Sequence, residues 1–223
     1  MIIDCISDLH GFYPKLKGGD LLIIAGDLTA QDTEDQHQAF LEWVLVQPYR
    51  KVFIVPGNHD NLYEKKQIRG WYTFPKPNFI SLLIDELEEF EGLKIWGSPW
   101  TSRFEGMNPH CMAFTVETDE DLDAKWDLIP SDIDILVTHS PPMTICDGVM
   151  KKIDKGQEIV SCGSRGLLRK LMSNAFPKLK LHVFGHIHEG YGEAQIGPDL
   201  VLFNASHVTR TYKPKNDPMR IEF

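Results

Sequence analysis

Short apolar runs separated by polar segments form the N-terminal part of the chain. Met1–Ile6, Leu21–Ala25 and Val52–Val55 are rich in β-branched and apolar residues. They are too short for helices and are typical of strands buried on both faces. Between the second and third runs, a capping-box sequence beginning at Thr33 precedes apolar residues at helical spacing, which predicts a helix ending before Pro48. This alternation predicts an α/β layered fold.

The rest of the chain contains further predicted strands, helices and turns and no internal repeat. The segment Met143–Gly163 is polar and contains glycines, which predicts a long irregular loop beside a functional site. With 223 residues and no obvious linker, we expect one domain over residues 1–223. The other predicted elements are a hairpin over 86–97, a helix over 118–126, a strand over 133–138, a helix over 166–172, a strand over 180–184 and a second hairpin over 194–203.

Polar side chains of metal-ligand type follow five of the predicted strands. Open α/β sheets place their sites at the carboxyl ends of strands, so these residues are expected to meet. On an extended backbone, the i and i+2 positions of His186 and His188 would point to the same side. The residues concerned are Asp8 and His10, Asp27, Asn58 and His59, His139, and His186 and His188.

These residue types favour a particular metal chemistry. Imidazole combined with carboxylate or amide oxygen suits Mn, Fe, Zn or Co better than Ca. Two divalent cations held about 3.5–4 Å apart need a shared ligand, and the Asp27 carboxylate is the natural bridge. The positions of the four cysteines exclude a zinc finger.

Charge and composition limit the classes of molecule that the protein is expected to bind. A formal net charge of −9 disfavours long nucleic acids and anionic membrane surfaces. The N-terminus has no basic region, and no apolar stretch approaches the roughly 20 residues that would cross a bilayer. The cysteines contain no Cys-x-x-Cys pair, which favours reduced thiols. We therefore expect a cytoplasmic protein that does not associate with membranes.

The ordered polar motifs resemble a known signature. Together they resemble the five-part signature of the calcineurin-like metallophosphoesterase superfamily, and they span most of the chain. Further segments resemble the branch of brain metallophosphoesterase-domain proteins and their bacterial relatives. The signature motifs are Asp8-x-His10, Gly26-Asp27, Gly57-Asn58-His59-Asp60, His139 and Gly185-His186-x-His188, and the branch-like segments are 97–101, 125–130, 139–142 and 182–192.

The resemblance implies a fold and a ligand set. The fold is a four-layer αββα sandwich of two mixed β-sheets flanked by helices. The cofactor is a pair of divalent metal ions, with manganese expected and Fe, Zn, Co or Mg as alternatives. His59 would not bind metal, but would act as general acid for the leaving oxygen or stabilise charge on it. The implied ligands are Asp8, His10, Asp27 and His188 for one metal, and Asp27, Asn58, His139 and His186 for the other.

One position departs from the superfamily pattern. Many members carry an aspartate three positions after the bridging aspartate, where it pairs with the catalytic histidine, and here that position is Ala30. His59 therefore needs another orienting group. Asp32, Asp60 and a backbone carbonyl are the alternatives.

The expected activity is hydrolysis of small phosphodiesters, in particular cyclic nucleotides, by in-line attack of a metal-bridging hydroxide assisted by His59. A phosphomonoesterase or nucleic-acid end-processing nuclease is an alternative, and a catalytically weak nucleotide- or partner-binding module is another. Trp100 and Arg103 would line the substrate cleft, or would be a core and a rim residue. The free edges of the two sheets could pair with a second copy of the chain, which would give a homodimer. The remaining histidines, expected to be structural or on the surface, are His37, His110, His182 and His207.

Overall fold

The computed structural model describes residues 1–69, 77–103, 107–153 and 156–223. The helices are α1 (Glu34–Leu45), α2 (Asn61–Arg69), α3 (Asp119–Trp126) and α4 (Arg165–Met172), with a 3-10 turn at His188–Gly190. The strands are β1 (Ile2–Ile6), β2 (Gly19–Ala25), β3 (Tyr49–Val55), β4 (Ile80–Leu82), β5 (Glu86–Phe90), β6 (Leu93–Ser98), β7 (Thr101–Ser102), β8 (Thr115–Val116), β9 (Ile135–Thr138), β10 (Gly148–Ile153), β11 (Gly156–Ser161), β12 (Leu181–Phe184), β13 (Gly192–Ile196), β14 (Leu200–Asn204) and β15 (Met219–Glu222).

Two mixed sheets form the centre of the molecule. The first has the order β15-β1-β2-β3-β4, and only its β15 edge is antiparallel. The second has the order β13-β14-β12-β9-β6-β5, parallel through its four inner strands and antiparallel at both edges. All parallel strands therefore end at one edge of the sandwich, where their following loops gather.

Three apolar clusters separate the layers. The middle cluster joins residues such as Ile23 and Phe53 of the first sheet to Val137 and Val183 of the second. On the outer face of the first sheet, α1 packs through Phe40 and its neighbours. The outer face of the second sheet is covered by α3 and α4 in the third cluster. The expected four-layer αββα sandwich of two mixed β-sheets is confirmed.

Side-chain caps explain where the predicted helices begin. Thr33 accepts a hydrogen bond from the backbone of Gln36, and Thr118 accepts one from Asp121. Ser164 likewise caps α4. Each cap satisfies one of the amide groups that a helix leaves unpaired at its N-terminus. The hydrophobic pattern of the sequence did not predict α2, whose residues are mostly polar. It also did not predict the short edge strands β4 and β15.

The prediction of an irregular loop over Met143–Gly163 is wrong. Apart from residues 154–155, which lie outside the described part of the chain, most of this segment is an antiparallel hairpin of β10 and β11. Asp147 closes its base, because the buried carboxylate accepts from the amides of Thr144 and Gly163 at 3.0 and 2.8 Å. Most hairpin side chains are exposed, so they lack the apolar alternation that reveals a half-buried strand. No helix in the described ranges is long and apolar enough to span a membrane.

Candidate metal centre and active site

The predicted site residues converge at the carboxyl ends of the parallel strands, but not through an extended backbone. Asp8, His10 and Asp27 have φ values of 51°, 43° and 53°, and His186 has 68°. His188 begins a 3-10 turn. The expectation that i and i+2 residues point the same way along a strand is therefore wrong. Left-handed backbone conformations at Asp8, His10, Asp27 and His186 fold these side chains back toward a common centre.

One group of donors faces a common point on the β1 side of the site. His10 Nε2 lies 3.2 Å from His188 Nε2, which lies 3.3 Å from Asp8 Oδ1. His10 Nε2 is also 3.5 Å from Asp27 Oδ2. Donor atoms from these four buried residues all lie within 4.8 Å of one another. The first predicted ligand set is thus assembled.

A second group lies on the other side of Asp27. His139 Nε2 is 3.3 Å from Asp27 Oδ1 and 3.1 Å from Asn58 Oδ1. His186 Nδ1 is 2.9 Å from the same Asn58 oxygen. The second predicted ligand set therefore converges as well. Asp27 presents one oxygen to each group, as a bridging carboxylate requires.

The donor chemistry fits divalent metal ions. Ligand atoms about 2.1 Å from one ion stand roughly 3.0–3.4 Å apart in octahedral or tetrahedral geometry. The observed spacings in both groups, 2.9–3.5 Å, lie in or next to this range. The residues would hold one ion at each group.

Neighbouring groups fix the orientation of the donors. The Asp8 carboxylate accepts from the amide of His186 at 3.1 Å and from Ser206 Oγ at 2.7 Å. Asn58 Nδ2 donates to the Cys111 carbonyl at 3.0 Å, which turns its Oδ1 into the site. His139 Nδ1 donates to the Ala25 carbonyl at 2.9 Å. Such partners fix the tautomer and direction of a metal ligand.

Close packing explains the glycines beside the ligands. A Cβ on Gly26 would overlap the His139 ring, and one on Gly57 would overlap Asp27. Gly26 also has a φ of 105°, which disfavours other residues. Both glycines are therefore required for Asp27 and His139 to approach each other.

The electrostatics keep the carboxylates ionised without a bound metal. Burial alone would raise the pKa of Asp27, but the charges of His139 and His59 hold it well below its usual range. Burial would lower the pKa of His139, yet Asp27 raises it to about 9. Burial lowers the pKa of His10 to about 4 and that of His186 to about 3. The site therefore offers ionised Asp27 and neutral His10 and His186, the forms that bind metal, whereas His139 would release a proton on binding an ion.

His59 stands at the edge of this cluster. Its Nε2 lies 4.0 Å from Asp27 Oδ2, and its amide donates to Asp27 Oδ1 at 2.9 Å. Its Nδ1 faces the Ala30 carbonyl at 3.4 Å. Asp60 instead accepts from the amides of Leu28 and Gly57. Of the three alternatives for the carboxylate absent at position 30, the structure places the backbone carbonyl next to the ring.

Trp100 and Arg103 form their side-chain contacts outside the two donor groups. Trp100 Nε1 donates to Asp85 Oδ2 at 2.7 Å, and Lys125 Nζ lies 3.6 Å from its ring centroid. Arg103 forms an ion pair with Glu117. A cavity opens onto the donor groups, and neither residue is among the described residues that line it. Their role in substrate binding stays a prediction.

A cavity of about 240 Å³ opens onto the donors. Its wall includes Asp27, Asn58 and His59, together with Arg210 and Tyr212, which the sequence patterns did not indicate. The Tyr212 ring centroid lies 4.8 Å from that of His10, and its side chain is half-exposed. Both residues follow β14 in an irregular segment, so no periodicity marked them.

The four other histidines have structural or surface environments. His37 Nε2 lies 2.7 Å from Asp32 Oδ1, and His182 Nε2 lies 2.8 Å from Thr138 Oγ1. His207 contacts the Asn216 carbonyl at 2.7 Å, and His110 is exposed. The cysteines are all free.

Comparison with known proteins assigns the chain to a family. The family model described as Calcineurin-like phosphoesterase matches residues 1–190. Metallophosphoesterase domain-containing protein 1 of Homo sapiens is 35% identical over 240 residues, which cover 98% of this chain and 69% of that protein.

Two further similarities are more limited. A protein of Arcobacter nitrofigilis named Probable glycerophosphodiester phosphodiesterase GpdQ is 32% identical over 88 residues, covering 38% of this chain and 30% of that protein. The solved structure of TT1561 of Thermus thermophilus matches with a TM-score of 0.55 and 15% identity, over 91% of this chain and 88% of that chain. The last similarity concerns the fold alone.

Proposed function

Because the chain belongs to the calcineurin-like phosphoesterase family, a family of metal-dependent hydrolases of phosphoric esters, we propose that it hydrolyses small phosphodiesters with two divalent metal ions. Cyclic nucleotides are among the candidate substrates, and manganese is the expected metal. The main support for this proposal is the position of the Asp27 carboxylate, whose two oxygens face two separate donor groups.

The chain's own residues would perform distinct tasks. When bound, the metal pair supplies Lewis-acid activation of water and of the phosphoryl group. Asp27 would space the two ions, and Asn58, His139 and His186 would hold the second one. His59 lies on the cavity wall, where its Nε2 can deliver a proton to the leaving oxygen. The Ala30 carbonyl orients the ring by facing Nδ1.

A diester substrate is favoured by charge and by one relative. A phosphodiester carries a single negative charge, which suits a site set in a protein with a net charge of −9. The name of the Arcobacter nitrofigilis relative describes it as a probable diesterase, although it matches only part of this chain. Long nucleic acids, which carry many phosphates, are disfavoured as substrates by the same net charge.

The test uses metal-stripped protein reconstituted with Mn²⁺ and four substrates: bis-p-nitrophenyl phosphate, p-nitrophenyl phosphate, and 2′,3′- and 3′,5′-cyclic nucleotides. Turnover of the diesters should fall about 100-fold or more in Asp27→Asn. Asp199→Asn removes the same charge from an exposed turn and should leave turnover unchanged.

Each outcome has a clear meaning. Faster hydrolysis of the monoester than of any diester would replace the proposal with a phosphomonoesterase. Tight nucleotide binding without turnover in verified two-metal protein would favour the binding module instead.

A further inference from the structure

The chain segment that follows β14 is tied to the first donor group, on the β1 side of the site. The amide of His207 donates to the Ser7 carbonyl at 2.7 Å, and Ser206 Oγ donates to Asp8 Oδ2 at 2.7 Å. This segment lies outside residues 1–190, which match the family model. The match to the family therefore assigns it no role.

Tyr212 stands in a turn that this segment forms. An antiparallel bridge between Val208 and Pro214 closes the turn, and the amide of Tyr212 donates to the Thr209 carbonyl at 2.7 Å. The φ of Tyr212 is 55°, a left-handed conformation that a bulky residue adopts only at a cost in energy. The turn therefore holds the ring where local backbone preference would not place it.

The Tyr212 ring packs against two members of the first donor group. Its centroid lies 4.8 Å from that of His10 and 5.2 Å from that of His188, with interplanar angles of 80° and 89°. Both distances lie within the range of about 4.5–7 Å over which nearly perpendicular rings attract each other. Because the same segment also holds Asp8, it contacts all three residues that belong to the first donor group alone.

His10 depends on ring packing more than the histidines of the second donor group do. His139 Nδ1 donates to the Ala25 carbonyl at 2.9 Å, and His186 Nε2 lies 3.3 Å from Thr101 Oγ1. A hydrogen bond can therefore fix each of these rings. His10 Nδ1, in contrast, is buried with no hydrogen-bond partner among the described residues. Contacts between rings are left to direct its Nε2 toward an ion.

Three aromatic rings of the described residues surround His10, and they belong to His59, His188 and Tyr212. His188 would bind the same ion, and His59 would act on the substrate. Tyr212 is the one of the three that has no part in the proposed chemistry.

We propose that Tyr212 is a positioning residue for the first metal ion. Its ring holds the His10 and His188 imidazoles at the spacing that this ion needs, and it has no such effect on the second ion. The inference rests on the proposed two-metal function and adds the element that keeps one of its two metal sites assembled.

The first test measures Mn²⁺ affinity by isothermal titration calorimetry. Tyr212→Asn removes the ring but suits the turn, because asparagine adopts the left-handed conformation more readily than tyrosine. One of the two ions should bind at least about tenfold more weakly to this variant, a change of about 1.4 kcal/mol. The affinity for the other ion should stay the same.

Two controls separate the ring from the turn that carries it. Tyr212→Phe keeps both ring contacts, so it should bind both ions as the unmodified protein does. Thr211→Ala changes the exposed neighbour in the same turn and should also leave both affinities unchanged.

Ligand variants identify which ion is affected. His139→Asn weakens the second donor group, and His188→Asn weakens the first, so each variant reports on the ion that remains. Adding Tyr212→Asn should lower Mn²⁺ affinity about tenfold in the His139→Asn background and leave it unchanged in the His188→Asn background.

The dependence of turnover on Mn²⁺ distinguishes positioning from substrate contact. Tyr212 also lines the cavity at the metal centre, so direct contact with the substrate is the alternative. A positioning role predicts that Tyr212→Asn needs about tenfold more Mn²⁺ for half-maximal hydrolysis of bis-p-nitrophenyl phosphate. At saturating Mn²⁺ its kcat and KM should equal those of the unmodified protein.

The failures are distinguishable. Unchanged Mn²⁺ affinity in Tyr212→Asn, equal weakening of both ions, or a raised KM at saturating Mn²⁺ would overturn the positioning role alone. Absence of diester turnover in unmodified protein with two bound ions would overturn the proposed function, and the affinities would still decide the role of Tyr212. Binding of fewer than two ions by the unmodified protein would overturn both.

Discussion

At the scale of single residues, the site depends on where individual atoms point. Asp27 divides its two oxygens between two donor groups, and Asn58 is turned by the Cys111 carbonyl so that its oxygen joins one of them. His59 is the exception, because its Nδ1 faces a carbonyl at 3.4 Å where many relatives supply a carboxylate. A neutral carbonyl orients the imidazole but stabilises its positive charge less than a carboxylate does.

The proposed role of His59 as an acid leads to a prediction about leaving groups. His59→Gln should lower kcat about 100-fold or more for diesters with alkoxide leaving groups, which need a proton. The loss should be much smaller for bis-p-nitrophenyl phosphate, whose leaving phenolate is stable without one. Metal content, measured by mass spectrometry, should not change. Equal losses on both substrates would assign His59 to charge stabilisation alone.

His182 gives a prediction about pH. Thr138 Oγ1 donates to the Ser140 carbonyl at 2.6 Å, so it accepts from His182 Nε2. The buried His182 Nδ1 has no hydrogen-bond partner among the described residues. Burial lowers the pKa of His182 from 6.5 to about 3. The unfolded chain therefore binds a proton that the folded protein resists, and stability falls as the pH drops from 6.5 toward 3.

The size of this effect can be measured. In metal-free protein, the free energy of unfolding should fall by about 2 kcal/mol between pH 7.5 and pH 5 because of His182 alone. His182→Gln keeps a donor for Thr138 but does not titrate, so its decrease over the same range should be smaller by that amount. Denaturant titrations at both pH values check this, and identical decreases in the two proteins would contradict it.

At the scale of secondary structure, strand ends and caps decide the positions of the loops. The strands β1, β2 and β12 each end in a left-handed turn that carries site residues, and α1 follows the Asp27 turn closely. The loop between them supplies Ala30, which contacts His59, and Thr33, which caps α1. A frayed first turn of α1 would therefore loosen the contact between Ala30 and His59.

The cap predicts a stability difference. Thr33→Ala removes the acceptor for the amide of Gln36 and should lower the free energy of unfolding by about 1 kcal/mol. Thr33→Ser retains the hydroxyl and serves as the control, with a change within a few tenths of a kcal/mol. Denaturant unfolding monitored by circular dichroism distinguishes the two. Equal losses in both variants would attribute the effect to the lost methyl group.

At the scale of the whole molecule, the metal centre connects the two sheets. Asp8 and Asp27 follow strands of the first sheet, whereas His139, His186 and His188 follow strands of the second. Ions bound between them would link the layers across the sandwich. Ligands that bind only the folded protein stabilise it by mass action, so each metal should raise the free energy of unfolding.

This coupling predicts the effect of metal removal. At a free Mn²⁺ concentration 100 times the Kd of one site, stability should rise by about 2.7 kcal/mol for that site relative to protein in EDTA. Asp27→Asn, which affects both donor groups, should lose most of the gain. Thermal unfolding with and without Mn²⁺ checks the gain, and calorimetry should give two ions per chain. A full gain in the variant would contradict the bridging role of Asp27.

The sequence by itself determined the layered class and indicated which polar residues gather at the strand ends. Apolar runs form the buried strands and the polar residues follow at the strand ends, so the order of strands and the residues at their ends could be predicted. Local caps such as Thr33 and Thr118 act within one helical turn, which made those helix starts predictable too.

The tertiary structure alone decided how the side chains meet. The left-handed turns at Asp8 and His186, the exposed hairpin β10–β11 and the carbonyl facing His59 depend on contacts between residues far apart in the chain. Tyr212 could not be predicted, because it lies in an irregular segment without periodicity. Close packing across the two sheets, which no local pattern records, set the final geometry of the site.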